Sequence, residues 1–443
     1  MRAYLAATKA GIRRLGERAQ SIWRNPPENL WFSCLFWSFW FSLVSFPVGY
    51  GMREVMPLVC LLFLVPYWRD NWHKSVWRRL DARFLFYCLW GMVLIGIVFS
   101  ENVVTSLLHA GTGINKGFLL PFIAMECVRE EKDLRRLVWA CALACFWQGL
   151  DGLYQAFTGA DFVMGYGIRG GRLTGSLGDY TVGNYIALAL IPAFALWFVL
   201  RQLLPRPAAA LLWCATLWPA FFLLAGAASR SAALAVAAAL GLWLLLAGGQ
   251  RRWLLALCSG GALALVLAFQ GRLHLAQVAG DGRWSLWNLG WKVFLEHPWL
   301  GAGAGRYNEA FRQLGLTPEK DVITISHPHN IFLDMLYAHG LVGFALGMVF
   351  LAGFLLWGYR RIRPALRAEL AGADTGIYWR MAAWFWIAFA CWLVNGIFGH
   401  DFYRIWWLAL AMSYLGVMIG AVVNGPVAPS PDGHAAPGEG GFC

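Results

Sequence analysis

The chain has 443 residues, 59% of them hydrophobic and 14% charged, with 26 tryptophans and a mean hydropathy of +0.54; a soluble domain carries roughly 25% charged and about 45–50% apolar residues. That excludes a water-soluble enzyme, a collagenous or disordered chain and a small secreted disulfide scaffold. The net charge of +12 does not point to nucleic acid, because the basic residues stand in short clusters between apolar runs, as in the cytoplasmic loops of membrane proteins.

Residues 1–30 form the first predicted element. Leu5, Ile12, Leu15, Ala19 and Ile22 recur at helical spacing among Arg2, Lys9, Arg13, Arg14, Arg18 and Arg24. This predicts a basic amphipathic segment lying on an anionic inner leaflet. It is too polar for a cleaved signal peptide, and its first apolar run comes too late. Twelve transmembrane helices are predicted next, at 31–50, 54–68, 82–99, 103–125, 134–157, 180–200, 208–226, 229–248, 253–270, 330–357, 378–399 and 402–423. A helix needs about 20 apolar residues to span a bilayer. Gly111, Gly113, Asn115 and Lys116 interrupt the fourth span, and the second is short, between Pro57 and Pro66. The expected fold is an all-α polytopic membrane protein. Spans one to nine fill 31–270, a connection with amphipathic helices fills 271–329, and spans ten to twelve fill 330–424. Residues 425–443, rich in Pro and Gly, read as a disordered cytoplasmic tail.

Two thirds of the basic residues fall on one side of this arrangement. They are the N-terminal set, then Arg69, Lys74, Arg78, Arg79 and Arg83, then Arg129, Lys132, Arg135 and Arg136. Arg201, Arg206, Arg251 and Arg252 follow, then Arg360, Arg361, Arg363 and Arg367, with Arg380 just inside the next span. The positive-inside bias makes that side cytoplasmic and places both termini there. The ten cysteines fall in apolar spans, at a cytoplasmic span end or in the tail. They read as small buried hydrophobes.

Chemistry is therefore expected on the outward side, in residues 158–179 and above all 271–329. Trp284, Trp287, Trp291, Phe294 and Leu295 form an amphipathic stripe. It reads as a helix lying at the outer interface that roofs or walls a cavity. The outward cations are Arg53, Lys116, Arg169, Arg172, Arg230, Arg272, Arg283, Lys292, Arg306, Arg312, Lys320 and Arg404. Arg172, Arg283 and Arg306 sit beside glycines, which permit close approach of a ligand, and the guanidinium fork matches phosphate oxygens. Arg230 lies in a tight turn between two apolar spans, as a functional group or as a residue snorkelling to headgroups. Two histidines and an asparagine, His327, His329 and Asn330, stand where the long connection re-enters the membrane. An imidazole there can take a proton from a hydroxyl at neutral pH. The alternatives are a capping turn at a helix start and a zinc pair, which lacks further ligands nearby.

Four stretches together resemble the O-antigen ligase and O-antigen polymerase superfamily of bacterial membrane glycosyltransferases. They are GGRLTGSLGDYTVGNYIAL at 170–188, GAASRSAAL at 226–234, GRWSLWNLGWKVFLEHPWLGAGAGRYNEAF at 282–311 and HPHNIFLDMLYAHGLVG at 327–343. One departure is GDYTVGN, where many members read closer to Gly-x-x-x-Asn-Pro-Asn. The resemblance covers 155–345 well, and the long ninth connection is similar to the ligase branch. It implies a GT-C-like fold and a bacterial inner-membrane enzyme, multi-pass, with a periplasmic active site. It also implies transfer of O-antigen polysaccharide from undecaprenyl diphosphate to the lipid A–core of lipopolysaccharide, without metal or cofactor. On that reading His329 is the general base, with His327 as second choice and Asn330 orienting. Arg172, Arg230, Arg283, Arg306 and Tyr307 bind substrate, and the displacement is inverting. The alternatives are an O-antigen polymerase or protein O-oligosaccharyltransferase with the same donor. A secondary transporter is a further rival, for which no internal repeat or mid-membrane polar cluster speaks.

Overall fold

The computed structural model describes residues 29–113, 117–179, 181–248, 283–315 and 327–426. The predicted N-terminal amphipathic segment (but for its last two residues), the ninth span at 253–270 and all but the first residues of the tail lie outside them. The helices are α1 Leu30–Ser45, α2 Gly49–Asn71, α3 Val76–Arg79, α4 Phe84–Val98, α5 Val103–Gly113, α6 Leu120–Glu126, α7 Glu131–Thr158 and α8 Val182–Ala193. They continue as α9 Leu196–Leu203, α10 Arg206–Ala227, α11 Arg230–Ala247, α12 Arg283–Glu296, α13 Tyr307–Gln313, α14 Ile331–Leu370, α15 Tyr378–Gly396 and α16 Ile405–Asn424. Among the described residues there is no strand, and the extended pairing consists of two isolated bridges in the 158–179 connection. Seven helical stretches are long and apolar enough to cross a membrane, and α1 and α4 are shorter apolar helices. The architecture is that of an all-α polytopic membrane protein.

Helix stands at every predicted span within the described residues, and the departures have local causes. The first span stops at Ser45, just before Pro47, which has no amide hydrogen to continue the helical ladder. The fourth divides into α5 and α6 around its glycines, with Pro121 opening α6. The sixth breaks after Pro192 into α8 and α9. The tenth runs on to Leu370. Its predicted loop is helical because Arg, Leu and Ala are strong helix formers. At about 1.5 Å per residue, α14 would reach well beyond a hydrocarbon core of about 30 Å.

The bundle has two polar ends, and at one of them two buried carboxylates, Glu126 and Glu369, are well supplied with donors. Glu126 accepts from Trp68 Nε1 at 3.0 Å, Ser75 Oγ at 2.5 Å and the Val76 amide at 3.2 Å. Glu369 accepts from the Trp379 amide at 2.8 Å and pairs with Arg380 at 3.0 Å. A buried carboxylate is tolerable only when so satisfied. The predicted cytoplasmic clusters fall at this end.

At the other end, α14 is broken. Gly340 has φ 61° and ψ −170° inside the helix, and the segment after α12 fills the gap. The Leu341 and Val342 amides donate to the Pro298 and Trp299 carbonyls at 2.8 and 3.1 Å. The Ala302 and Gly303 amides donate to the Tyr337 and Ala338 carbonyls at 2.8 and 3.1 Å. One loop thus satisfies the backbone groups that both sides of the break would otherwise leave without partners. The contact requires glycine at Gly301 and Gly340, where a Cβ would overlap backbone atoms of the opposite segment. The outcome is a short half-helix, residues 331–339, aimed independently of the rest of α14.

Candidate functional site

The half-helix begins at the His327–Asn330 turn. Asn330 caps it, its Oδ1 accepting from the Phe332 and Leu333 amides at 3.0 and 3.1 Å. Asn330→Ala should therefore lower stability by about 1 kcal/mol, read as a drop in thermal midpoint, whereas Asn330→Asp or Ser should keep most of it. His329 adopts φ 52°, a left-handed conformation that is uncommon outside glycine and clusters at functional sites. Its amide donates to His327 Nδ1 at 3.2 Å, and the two rings stand 4.1 Å apart. His329 Nδ1 faces the Gly399 carbonyl at 3.4 Å.

These contacts assign the tautomers. A carbonyl only accepts, so His329 carries its proton on Nδ1 and keeps a lone pair on Nε2. His327 Nδ1 accepts, so its proton is on Nε2. The pair therefore offers one base and one donor. Burial, then the charges of Arg404 and His109, push His327 down to about 3. Burial, then His327, also lowers His329 to about 3, and Arg283 adds to this. Both rings are neutral at pH 7.

The α15–α16 connection closes over this turn. Phe398 stacks on Trp287 of α12 at 5.8 Å. His400 lies buried between Trp392 and Trp407, and its Nδ1 donates to the Asp401 carbonyl at 2.9 Å. The Phe402 amide donates to Asp334 Oδ2 at 3.1 Å, and the Tyr403 hydroxyl meets His339 Nε2 at 3.0 Å. The buried Asp401 Oδ1 has no hydrogen-bond partner among the described residues. None of this segment was assigned to the site from sequence, though Arg404 stood among the outward cations. The signal was there: Gly-His-Asp-Phe-Tyr-Arg packs four ionisable groups into a short connection between apolar spans.

The other landmarks approach through Asn184 of α8. Its Oδ1 accepts from Ser229 Oγ at 2.8 Å and Ser231 Oγ at 3.0 Å, which flank Arg230 at the start of α11. A Cβ built on Gly399 would stand 3.1 Å from Asn184 Nδ2, so the serine turn and the His329 turn lie on either side of one loop. Arg172 precedes Leu173, whose amide donates to the Gly226 carbonyl at 3.1 Å, two residues before Ala228, which holds the turn at φ 50°. Arg172, Arg230, Arg283 and Arg404 are all half-exposed at this end.

Arg306 and Tyr307 are placed differently. Arg306, only 3% exposed, pairs with Glu101 at 2.8 Å and Glu309 at 2.9 Å, and its hydrogen bond and charge hold the Glu101 carboxyl below its usual range. Tyr307 is buried against Tyr337 and donates to the Leu286 carbonyl at 2.6 Å. Tyr307 fastens α12 and α14 to α13, and Arg306 ties the start of α13 to the α4–α5 connection. The glycines before them admit protein rather than ligand: Cβ atoms at Gly303 and Gly305 would overlap Ser100 and His109. The indole stripe divides as well. At about 100° per residue, Trp284, Trp291 and Leu295 share one face and are exposed, while Phe294 lies off it and is buried. Among the described residues no three His, Cys, Asp or Glu side chains stand close enough to form a metal cluster.

This geometry falls largely within a recognised stretch of sequence. Residues 215–348 match the O-antigen ligase family. An O-antigen ligase of Pseudomonas aeruginosa is 32% identical over 154 residues, 33% of this chain and 35% of the relative. The match thus spans about a third of that relative's length. Both comparisons support the resemblance read from the four stretches. The matched residues include Arg230, Arg283, Arg306, Tyr307, His327, His329 and Asn330; Arg172 and the Gly399–Arg404 loop lie outside them.

Proposed function

We propose that the chain is a glycosyltransferase that moves O-antigen polysaccharide from undecaprenyl diphosphate to the lipid A–core of lipopolysaccharide. Its site would lie at the periplasmic face of the bacterial inner membrane, with both termini in the cytoplasm. The observation that carries this reading is the approach of the neutral His327–His329 pair to the Arg230 turn and Arg283, within the stretch that matches O-antigen ligases.

His329 Nε2 takes the proton from the acceptor hydroxyl as its oxygen bonds to the anomeric carbon. The bond from that carbon to the diphosphate oxygen breaks, and undecaprenyl diphosphate leaves with the electron pair. Single displacement inverts the anomeric centre. Arg283, Arg230 and Arg172 supply guanidinium groups for the departing charge, so the step is written without metal. His327 Nε2–H is positioned as a donor to acceptor or leaving group. Asn330 acts on His329 by fixing the turn. Tyr307, given its partners, acts by holding α12 in place, and Arg306 by holding the start of α13 against Glu101.

Reconstitution with purified lipid A–core and a lipid-linked glycan tests the reading. Expected are transfer with inversion, insensitivity to EDTA, and accumulation of unattached lipid-linked polysaccharide in cells lacking the protein. Transfer only to a growing glycan or to a protein side chain would defeat it, as would retention at the anomeric carbon. Arg283→Ala and Arg230→Ala should each lower kcat/KM for the donor by about 10- to 100-fold, the worth of one charge-assisted hydrogen bond. Lysine should restore only part, since it lacks the planar fork.

A further inference from the structure

At the end of the bundle opposite the histidine turn lies a cavity of about 640 Å3, bounded by the start of α1, the end of α2, α3, the α6–α7 junction and the end of α16. Its size is in the range of small-ligand sites, about 300–1,000 Å3. Three cations line it: Lys74, Arg79 and Arg129. Arg129 lies over the Phe32 ring at 3.6 Å and donates to Asn29 Oδ1 at 2.9 Å; Arg79 donates to Asn424 Oδ1. Those acceptors are neutral amides. Among the described residues none of the three cations has a carboxylate within ion-pair distance.

The two acids of the wall are engaged elsewhere. Glu126 is held by Trp68, Ser75 and the Val76 amide, and Asp70 pairs with Arg69 at 2.6 Å. The wall thus carries an excess of positive charge at the level where the apolar helices end, with Arg129 held by ring stacking and both arginines by amide hydrogen bonds.

The geometry points to a binding site for a phosphate-bearing anion in this cavity, supplied by the headgroup of an anionic phospholipid. Basic pockets between spanning helices take such headgroups, and the aromatic rings beside the cations suit the membrane interface. The site is remote from the His329 turn and does not rest on the transfer reading.

The test uses the full chain in nanodiscs of phosphatidylcholine, with or without phosphatidylglycerol, and in phosphatidylcholine discs with added inorganic phosphate. Thermal unfolding and native mass spectrometry are the readouts. Phosphatidylglycerol is expected to raise the unfolding midpoint and to be retained. The Lys74→Gln/Arg79→Gln variant should bind it at least tenfold more weakly, the scale of lost charge-assisted contacts, and Arg79→Lys should bind nearly as wild type. Inorganic phosphate reproducing the whole shift would overturn the lipid source and leave a site for a free anion. Equal midpoints in both lipids, a comparison that needs no variant, would overturn the site itself. So would equal phosphatidylglycerol retention by wild type and the double variant.

Discussion

Replacing His329 by alanine should cut glycan transfer by about 10²- to 10⁴-fold, the usual contribution of a general base, while leaving protein yield and donor binding nearly unchanged. The expectation follows from the tautomer assignment: the Gly399 carbonyl accepts a hydrogen bond from Nδ1–H, which leaves the Nε2 lone pair as the proton acceptor. His327→Ala should cost less, since that ring presents a donor. The pH profile provides a second check. With His329 lowered to about 3, the acid limb of kcat/KM, which reports the free enzyme, should fall well below the ordinary histidine range. A bound diphosphate places negative charge beside the ring and raises its pKa. The acid limb of kcat should therefore lie at higher pH than that of kcat/KM. Coincident limbs near about 6.5 would contradict the lowered free-enzyme value of His329, and wild-type turnover in His329→Ala would remove it from the mechanism. The same shift has a consequence for stability. Unfolded imidazoles take up protons below about 6.5, but the folded pair does so only near 3. Stability is therefore held above about pH 6.5 and lost as pH falls from there toward 3.

The second large effect is expected at Gly340. Alanine there would drive its Cβ into the Trp299 carbonyl carbon and the Leu300 nitrogen, and it would have to adopt φ +61°. Backbone cannot yield as a flexible side chain does, so the overlap and the left-handed penalty combine to about 3 kcal/mol or more. Gly301→Ala meets the Ala338 carbonyl carbon and the His339 nitrogen from the other side and should behave alike. Gly111→Ala, with nothing within 4 Å, is the control and should be neutral. The measurement is the thermal midpoint in detergent together with transfer rate. Variants that remain folded but transfer slowly would show that the loop sets the angle of the half-helix bearing the histidine turn. Wild-type midpoints in Gly340→Ala would show that the loop and the broken helix are not interlocked as described.

The segment HPWLGAGAGRY shows where reading residues in order stops. Its glycines and arginine have the composition of a phosphate cradle. In the fold, the glycines admit the backbone of α14, Ser100 and His109, and the arginine reaches Glu101, 205 positions away. A pairing over that separation leaves no periodic trace. The His-x-His-Asn turn behaved in the opposite way. Its capping asparagine, its strained backbone and its paired rings all arise within four neighbouring residues, so short-range chemistry could anticipate them. Asn184 is unremarked beside its own neighbours and joins the site only through Ser229, Ser231 and Gly399, whereas His400 and Asp401 stand in a visibly polar run whose composition alone does not say that it closes over the His329 turn.

The sequence by itself determined the solvent and the helices. Apolar run length and the placement of cations are one-dimensional quantities that the bilayer reads directly. The tertiary structure decided which of the polar groups face one another. It broke α14 at Gly340, committed Arg306 to carboxylates and set His329 against Gly399. Those outcomes depend on backbone segments from distant parts of the chain satisfying each other's hydrogen bonds away from water, and no local pattern records that requirement.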